Sequence, residues 1–260
     1  FAIKAYGKKG QAVIDANLKA VDVATTDLVK CDVNKIINAK TESFMDVKKM
    51  SPYFKNFVDQ INKRNGDNLP VSAFDATGTV PTATTQYEKR GIALDVPTWV
   101  SENCIQCGQC TMVCPHAAIR PYLMDSNTKK PASLKTKAAL GIPGKDYVVQ
   151  VSPLDCTGCN SCVNVCPAKN KALVSKPLPS VKKEQVANYE FCESLPLVTS
   201  TPFKYDTIKG AQFLKPYFEF SGACAGCGET PYVRLVTQLF GKNMMIANAT
   251  GCSSIYGGSA

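Results

Sequence analysis

No stretch of this 260-residue chain approaches the ~20 consecutive apolar residues of a spanning helix, so the sequence holds no membrane segment. Histidine and tryptophan occur once each, as His116 and Trp99. No residue stands out as a general acid, a general base or a substrate clamp. Lysine and arginine outnumber aspartate and glutamate 30 to 21, a formal charge of +9. The lysines are nevertheless spread along the chain, without the arrays of basic and aromatic residues that a nucleic-acid surface shows, so nucleic acid is not expected as a partner. A signal peptide is also absent. The chain starts at Phe1 and ends at Ala260 without a polar tail, and both ends are expected to be cuts through a longer polypeptide.

Cysteine is plentiful, at 13 residues. Eight of these lie in a run that occurs twice. Residues 104–115 read C-I-Q-C-G-Q-C-T-M-V-C-P, and residues 156–167 read C-T-G-C-N-S-C-V-N-V-C-P. Both fit C-x-x-C-x-x-C-x-x-x-C-P, the run that binds [4Fe–4S] clusters in bacterial-type ferredoxins. Three closely spaced thiolates cover three corners of an iron–sulfur cube. The fourth Cys, expected on the following helix and pointing away, serves the other cluster. Cys104, Cys107, Cys110 and Cys166 are therefore expected to bind one cluster, and Cys156, Cys159, Cys162 and Cys114 the other. Structural zinc fits poorly, because it wants paired C-x-x-C knuckles with four ligands per ion. Disulfides fit worse, since cysteines so close in sequence rarely reach the required geometry. So many thiolates belong in a reducing cytoplasm.

The remaining stretches organise round this block. Apolar positions Val13, Ile14, Leu18 and Val21 predict an amphipathic helix over 8–28, within a segment 1–40 read as the end of a preceding α/β domain. Residues 41–80 are expected to be a connecting arm, with a helical stretch over 53–63. A two-cluster ferredoxin-like domain is expected over 81–202. Trp99 is assigned a packing role. His116 follows the first Cys-Pro and is read as a candidate hydrogen-bond partner of a cluster, not a ligand. The insert at 116–155 carries six basic and three acidic residues, and it is read as a solvated decoration in preference to a docking surface. Lysine-rich surface near an electron exit would steer a small acidic carrier protein. Cys31 and Cys192 are expected to be small buried hydrophobes.

A third feature lies in 203–260. Cys224 and Cys227 form a glycine-flanked C-x-x-C, and Cys252 follows. Thr230-Pro231 predicts a helix over 231–240, followed by a short apolar strand over 244–247. Three Cys make an incomplete set, and C-x-x-C alone fits a redox dithiol, a zinc knuckle or a cluster site.

Taken together, E-K-R-G-I-A-L-D-V-P-T-W (88–99), G-A-C-A-G-C-G-E-T-P-Y (222–232) and N-A-T-G-C-S-S-I-Y (248–256), with the double run between them, resemble the pyruvate:ferredoxin oxidoreductase family. The resemblance implies a homodimeric enzyme using thiamine diphosphate and Mg2+. It would convert pyruvate and coenzyme A to acetyl-CoA and carbon dioxide and pass electrons singly to ferredoxin or flavodoxin. It further implies that Cys224, Cys227 and Cys252 match three ligands of a proximal cluster, with the fourth outside this chain, making three [4Fe–4S] clusters. Residues 203–260 would then open a thiamine-diphosphate-binding α/β domain. The expected fold class is α+β, a two-[4Fe–4S] ferredoxin-like domain flanked by the end of one α/β domain and the start of another. The family's G-D-G…N diphosphate motif and its pyruvate-binding part are absent from these residues. A non-catalytic two-cluster electron-transfer subunit of another redox complex, or an enzyme acting on a different 2-oxoacid, is the alternative.

Overall fold

The computed structural model describes residues 1–38, 43–198 and 202–258. Two compact units are distinguished, Phe1–Ser43 and Phe44–Ala260. The first is helical: α1 (Ala2–Tyr6), α2 (Gln11–Val23) and α3 (Val33–Ile37). α2 is shorter than the 8–28 pattern predicts. It starts behind Gly10, whose φ of 96° no helix admits, and gives way to a turn at Ala24-Thr25-Thr26. β-Branched threonines lose side-chain freedom in a helix, and Thr26 Oγ1 bonds back to Val23 O at 3.3 Å.

The second unit opens with the expected helical stretch. A wide turn at Phe54–Val58 runs into α4 (Asp59–Asn62) and buries Phe54 and Val58. Aromatic contacts hold it, with Tyr53–Phe57 and Phe54–Tyr87 ring centroids 5.1 Å apart.

Next come β1 (Asp95–Trp99), α5 (Gln109–Met112), β2 (Ile119–Asp125), β3 (Lys137–Ala138), β4 (Lys145–Val151), α6 (Ser161–Val165), β5 (Leu173–Pro177) and α7 (Leu178–Glu193). β1 pairs antiparallel with β5, Trp99 opposite Leu173. Pro97 is tolerated because this ladder has only two strands, and each has a free edge. The other sheet has the order β2-β4-β3, all antiparallel, with Ile119 opposite Val151 and Lys137 opposite Tyr147.

Successive side chains of β4 face opposite ways. Tyr147, Val149 and Val151 join Ile119, Leu173 and Phe213 in one buried cluster with Cys104, Cys162 and Cys166. Val148 packs the other way, with Met124, Leu134 and Cys192. Burying each such aliphatic side chain contributes roughly 1.5–3 kcal/mol. The insert therefore supplies the central strand of the core, and the reading of it as a solvated decoration does not hold. Trp99 packs against the core as expected, its ring 6.2 Å from that of Tyr147.

The last part holds α8 (Ile208–Ala211), α9 (Thr230–Phe240) and α10 (Cys252–Gly258). α9 agrees closely with the predicted helix. The predicted strand over 244–247 is not formed. Met245 and Ile246 are exposed there, and no strand of the described residues pairs with them. A lone apolar run leaves its backbone groups without a ladder.

Candidate iron–sulfur centres

The two Cys runs fold into the same loop. In the first, backbone φ is positive at Gln106 (57°) and Gly108 (76°); in the second, at Gly158 (70°) and Asn160 (60°). The left-handed residues thus stand two and four positions after the first Cys of each run, although glycine occupies a different one each time. Gly108 and Asn160 are the residues from which α5 and α6 start. The N–H two residues on donates to the first sulfur in both loops, Gln106 N to Cys104 Sγ and Gly158 N to Cys156 Sγ, each at 3.4 Å. Ala172 N donates likewise to Cys166 Sγ at 3.4 Å. Such bonds stabilise charge on the sulfur and tune whatever it ligates.

Thiols of each run lie close enough to act on thiols of the other. Burial pushes Cys110 up to about 12, and next the neighbouring charges of Cys104, Cys107 and Cys166 act on it. Burial likewise raises Cys162, with Cys114, Cys156, Cys110 and Cys159 adding to it. Cys156 is pushed up to about 12 by burial, with Cys114 and Cys159 beside it. Cys166 thus acts on Cys110 of the first loop and Cys114 on Cys156 and Cys162 of the second, while Cys110 also acts across on Cys162. The fourth Cys of each run lies just beyond its helix, not on it: α5 ends at Met112 and α6 at Val165. The two short helices pack on each other.

Does an iron–sulfur group fit? The donors are sulfur only, set among apolar side chains, and soft thiolates select such groups or zinc. A four-iron cube takes four thiolates, and the two runs offer eight cysteines. A thiol held near 12 keeps its proton until a metal displaces it, so loading releases protons. The residues fit.

Cys224 and Cys227 sit on a turn closed by Cys227 N to Cys224 O at 3.0 Å, with left-handed Gly226 between them. Slight burial raises the Cys227 thiol, but the N–H groups of Thr230 and Glu229 at the start of α9 outweigh it and leave the thiol below its ordinary range. Burial and Glu229 raise the Tyr256 hydroxyl, and Cys227 and Cys252 add to it. This turn lies close to the second loop. A Cβ at Gly226 would meet Cys159 Cβ at 3.7 Å and Ser161 Oγ at 3.8 Å.

His116 does not bond a sulfur: its Nε2 lies 2.8 Å from Ala223 O, tying the third Cys loop to the first run. Burial lowers its pKa and keeps the ring neutral. Cys192 is buried as expected, whereas Cys31 is exposed. Sequence reasoning passed over Gln106, although it occupies the repeat position held by Gly158. It also passed over Lys137, whose ammonium donates to Glu102 O at 3.1 Å and Cys104 O at 2.9 Å.

The description "4Fe-4S dicluster domain" matches residues 103–170, and a domain of unknown function matches residues 40–93. A pyruvate:ferredoxin oxidoreductase of Moorella thermoacetica is 52% identical over 99% of this chain and 22% of its own length. The chain matches a segment of the pyruvate:ferredoxin/flavodoxin oxidoreductases. Pyruvate-flavodoxin oxidoreductases of Enterobacter agglomerans and Klebsiella pneumoniae are 47% and 46% identical, over 98% and 99% of the chain. The chain spans 22% of the length of each of these three oxidoreductases.

Proposed function

We propose that this chain is the electron-relay portion of a pyruvate:ferredoxin/flavodoxin oxidoreductase. The parent enzyme would convert pyruvate and coenzyme A to acetyl-CoA and carbon dioxide and reduce ferredoxin or flavodoxin. The observation that carries this reading is the close approach of the third Cys loop to the second ferredoxin-like loop, where a Cβ on Gly226 would lie 3.7 Å from Cys159 Cβ.

When bound, [4Fe–4S] groups take up and release one electron at a time at low potential. Cys104, Cys107, Cys110 and Cys166 would hold one and Cys156, Cys159, Cys162 and Cys114 another. Cys224, Cys227 and Cys252 would give three ligands to a third. Thiamine diphosphate with Mg2+ would supply the decarboxylation chemistry, and no residue here is assigned to hold it. The part of the chain is to space the three sites. Through Gly226 the Cys159 set would be the neighbour of the third site, which makes the Cys104 set the outer one. β4 and Phe213 keep water from Cys104, Cys162 and Cys166, and the N–H donors at Gln106, Gly158 and Ala172 favour charge on sulfur.

In this reading 1–40 ends a preceding α/β domain, 41–80 is an arm, 81–202 is the ferredoxin-like domain, and 203–260 opens the thiamine-binding domain. The parent is a homodimer. None of the thirteen cysteines is in a disulfide, in keeping with a reducing cytoplasm, and no described helix is long and apolar enough to cross a membrane.

The test is pyruvate- and coenzyme-A-dependent reduction of ferredoxin or a viologen by the full-length protein. Failure with every 2-oxoacid, in protein carrying its full iron, overturns the reading and favours a non-catalytic electron-transfer subunit.

A further inference from the structure

Arg234 lies inside α9, a little beyond Cys227 in sequence, and in space it reaches the C-terminal end of α5. Its Nη1 donates to Thr111 O and its Nη2 to Met112 O, the latter at 2.6 Å. Cys114 N donates to the same Thr111 O at 3.4 Å. The guanidinium thus grips the backbone from which Cys114 departs.

Arg234 is 2% exposed, its Nε has no partner, and no carboxylate pairs with it among the described residues. A partly buried arginine, Arg120, is by contrast matched by Glu193 at 3.2 Å and by Glu219. An unpaired cation is costly to bury. Burial accordingly pulls the pKa of Arg234 down, and the backbone it grips is the one that Cys114 N also bonds.

We propose that the Arg234 guanidinium is the countercharge of the iron–sulfur group held by Cys114, Cys156, Cys159 and Cys162, and that it raises the reduction potential there. Reduction at that site adds one electron and one negative charge, with no bond broken and no proton moved. A fixed positive charge favours the more negative state. Because α9 starts at Thr230, just past Cys227, one helix would both carry the third site and set the potential of its neighbour.

The inference rests on the ligand assignment above, which iron content tests separately. The experiment is a potentiometric titration with dithionite, followed by electron paramagnetic resonance, of the full-length, iron-loaded protein and its Arg234→Gln and Arg234→Lys variants. The signal of the Cys114 set is identified as the one lost in Cys159→Ala. In Arg234→Gln its reduced-to-oxidised ratio at fixed potential should fall about tenfold, which for one electron is about 59 mV, while the other signals stay in place. Arg234→Lys keeps the charge and should shift far less. Unchanged potentials in Arg234→Gln with full iron overturn the proposal, as do equal shifts in both variants. If Arg234→Gln does not retain its iron, Arg234→Lys decides: a near-wild-type potential supports the charge, and a tenfold fall contradicts it.

Discussion

Gly226 lies against Cys159, with 3.7 Å between the Cys159 Cβ and the position a Cβ would take on the glycine. That distance is ordinary contact, so the constraint on residue 226 is its φ of 73° and not lack of space. Gly226→Ala is expected to cost about 1 kcal/mol, read from the denaturant midpoint of the iron-loaded protein. An unchanged midpoint would mean that the turn relaxes to negative φ.

Gln106 joins the first Cys loop to the insert. It is 1% exposed, donates from Nε2 to Ala138 O at 2.7 Å, and accepts from Leu140 N at 2.8 Å. Gln106→Ala strands both backbone groups, at a cost of about 2 kcal/mol. The checking measurement is chelator-driven iron release, which should be faster from the Cys104 set than from the Cys156 set. Equal rates would count against this role.

The shared fold of the two Cys loops was legible in the sequence because both runs have the same Cys spacing and differ only in what fills the gaps. α9 was legible from Thr230-Pro231 and its apolar period. The sheet of β2, β3 and β4 was not: the charges of Lys129, Lys130 and Lys135 between its strands dominated the reading of the insert, although Val148, Val149 and Val151 announce a buried strand. The apolar run 244–247 misled in the opposite direction, since a strand needs a partner that no local pattern reveals. The bond of His116 to Ala223 spans 107 positions, a separation that spacing rules do not reach.

Lys89 pairs with Asp155 at 2.5 Å, and the carboxylate side chain is only 4% exposed. Lys89→Met removes the cation and leaves that charge buried, which is expected to cost about 3 kcal/mol. Adding Asp155→Asn should recover part of the loss in urea unfolding. No recovery would place the cost in lost packing, where Lys89 lies over the Phe220 ring at 4.7 Å.

Cys192 is 1% exposed, and burial pushes its thiol up to about 12. It should resist alkylation in the folded protein and react on unfolding, as peptide mapping after iodoacetamide treatment would record. Labelling of Cys192 under native conditions would show that the packing of α7 on β4 opens readily.

The crossing of ligands is tested most directly by comparing Cys104→Ala, Cys166→Ala, Cys156→Ala and Cys114→Ala in the full-length, iron-loaded protein by electron paramagnetic resonance. Cys166→Ala should lose the same signal as Cys104→Ala, and Cys114→Ala the same signal as Cys156→Ala. If Cys166→Ala instead matches Cys156→Ala, each run serves its own cluster and the crossed arrangement is wrong.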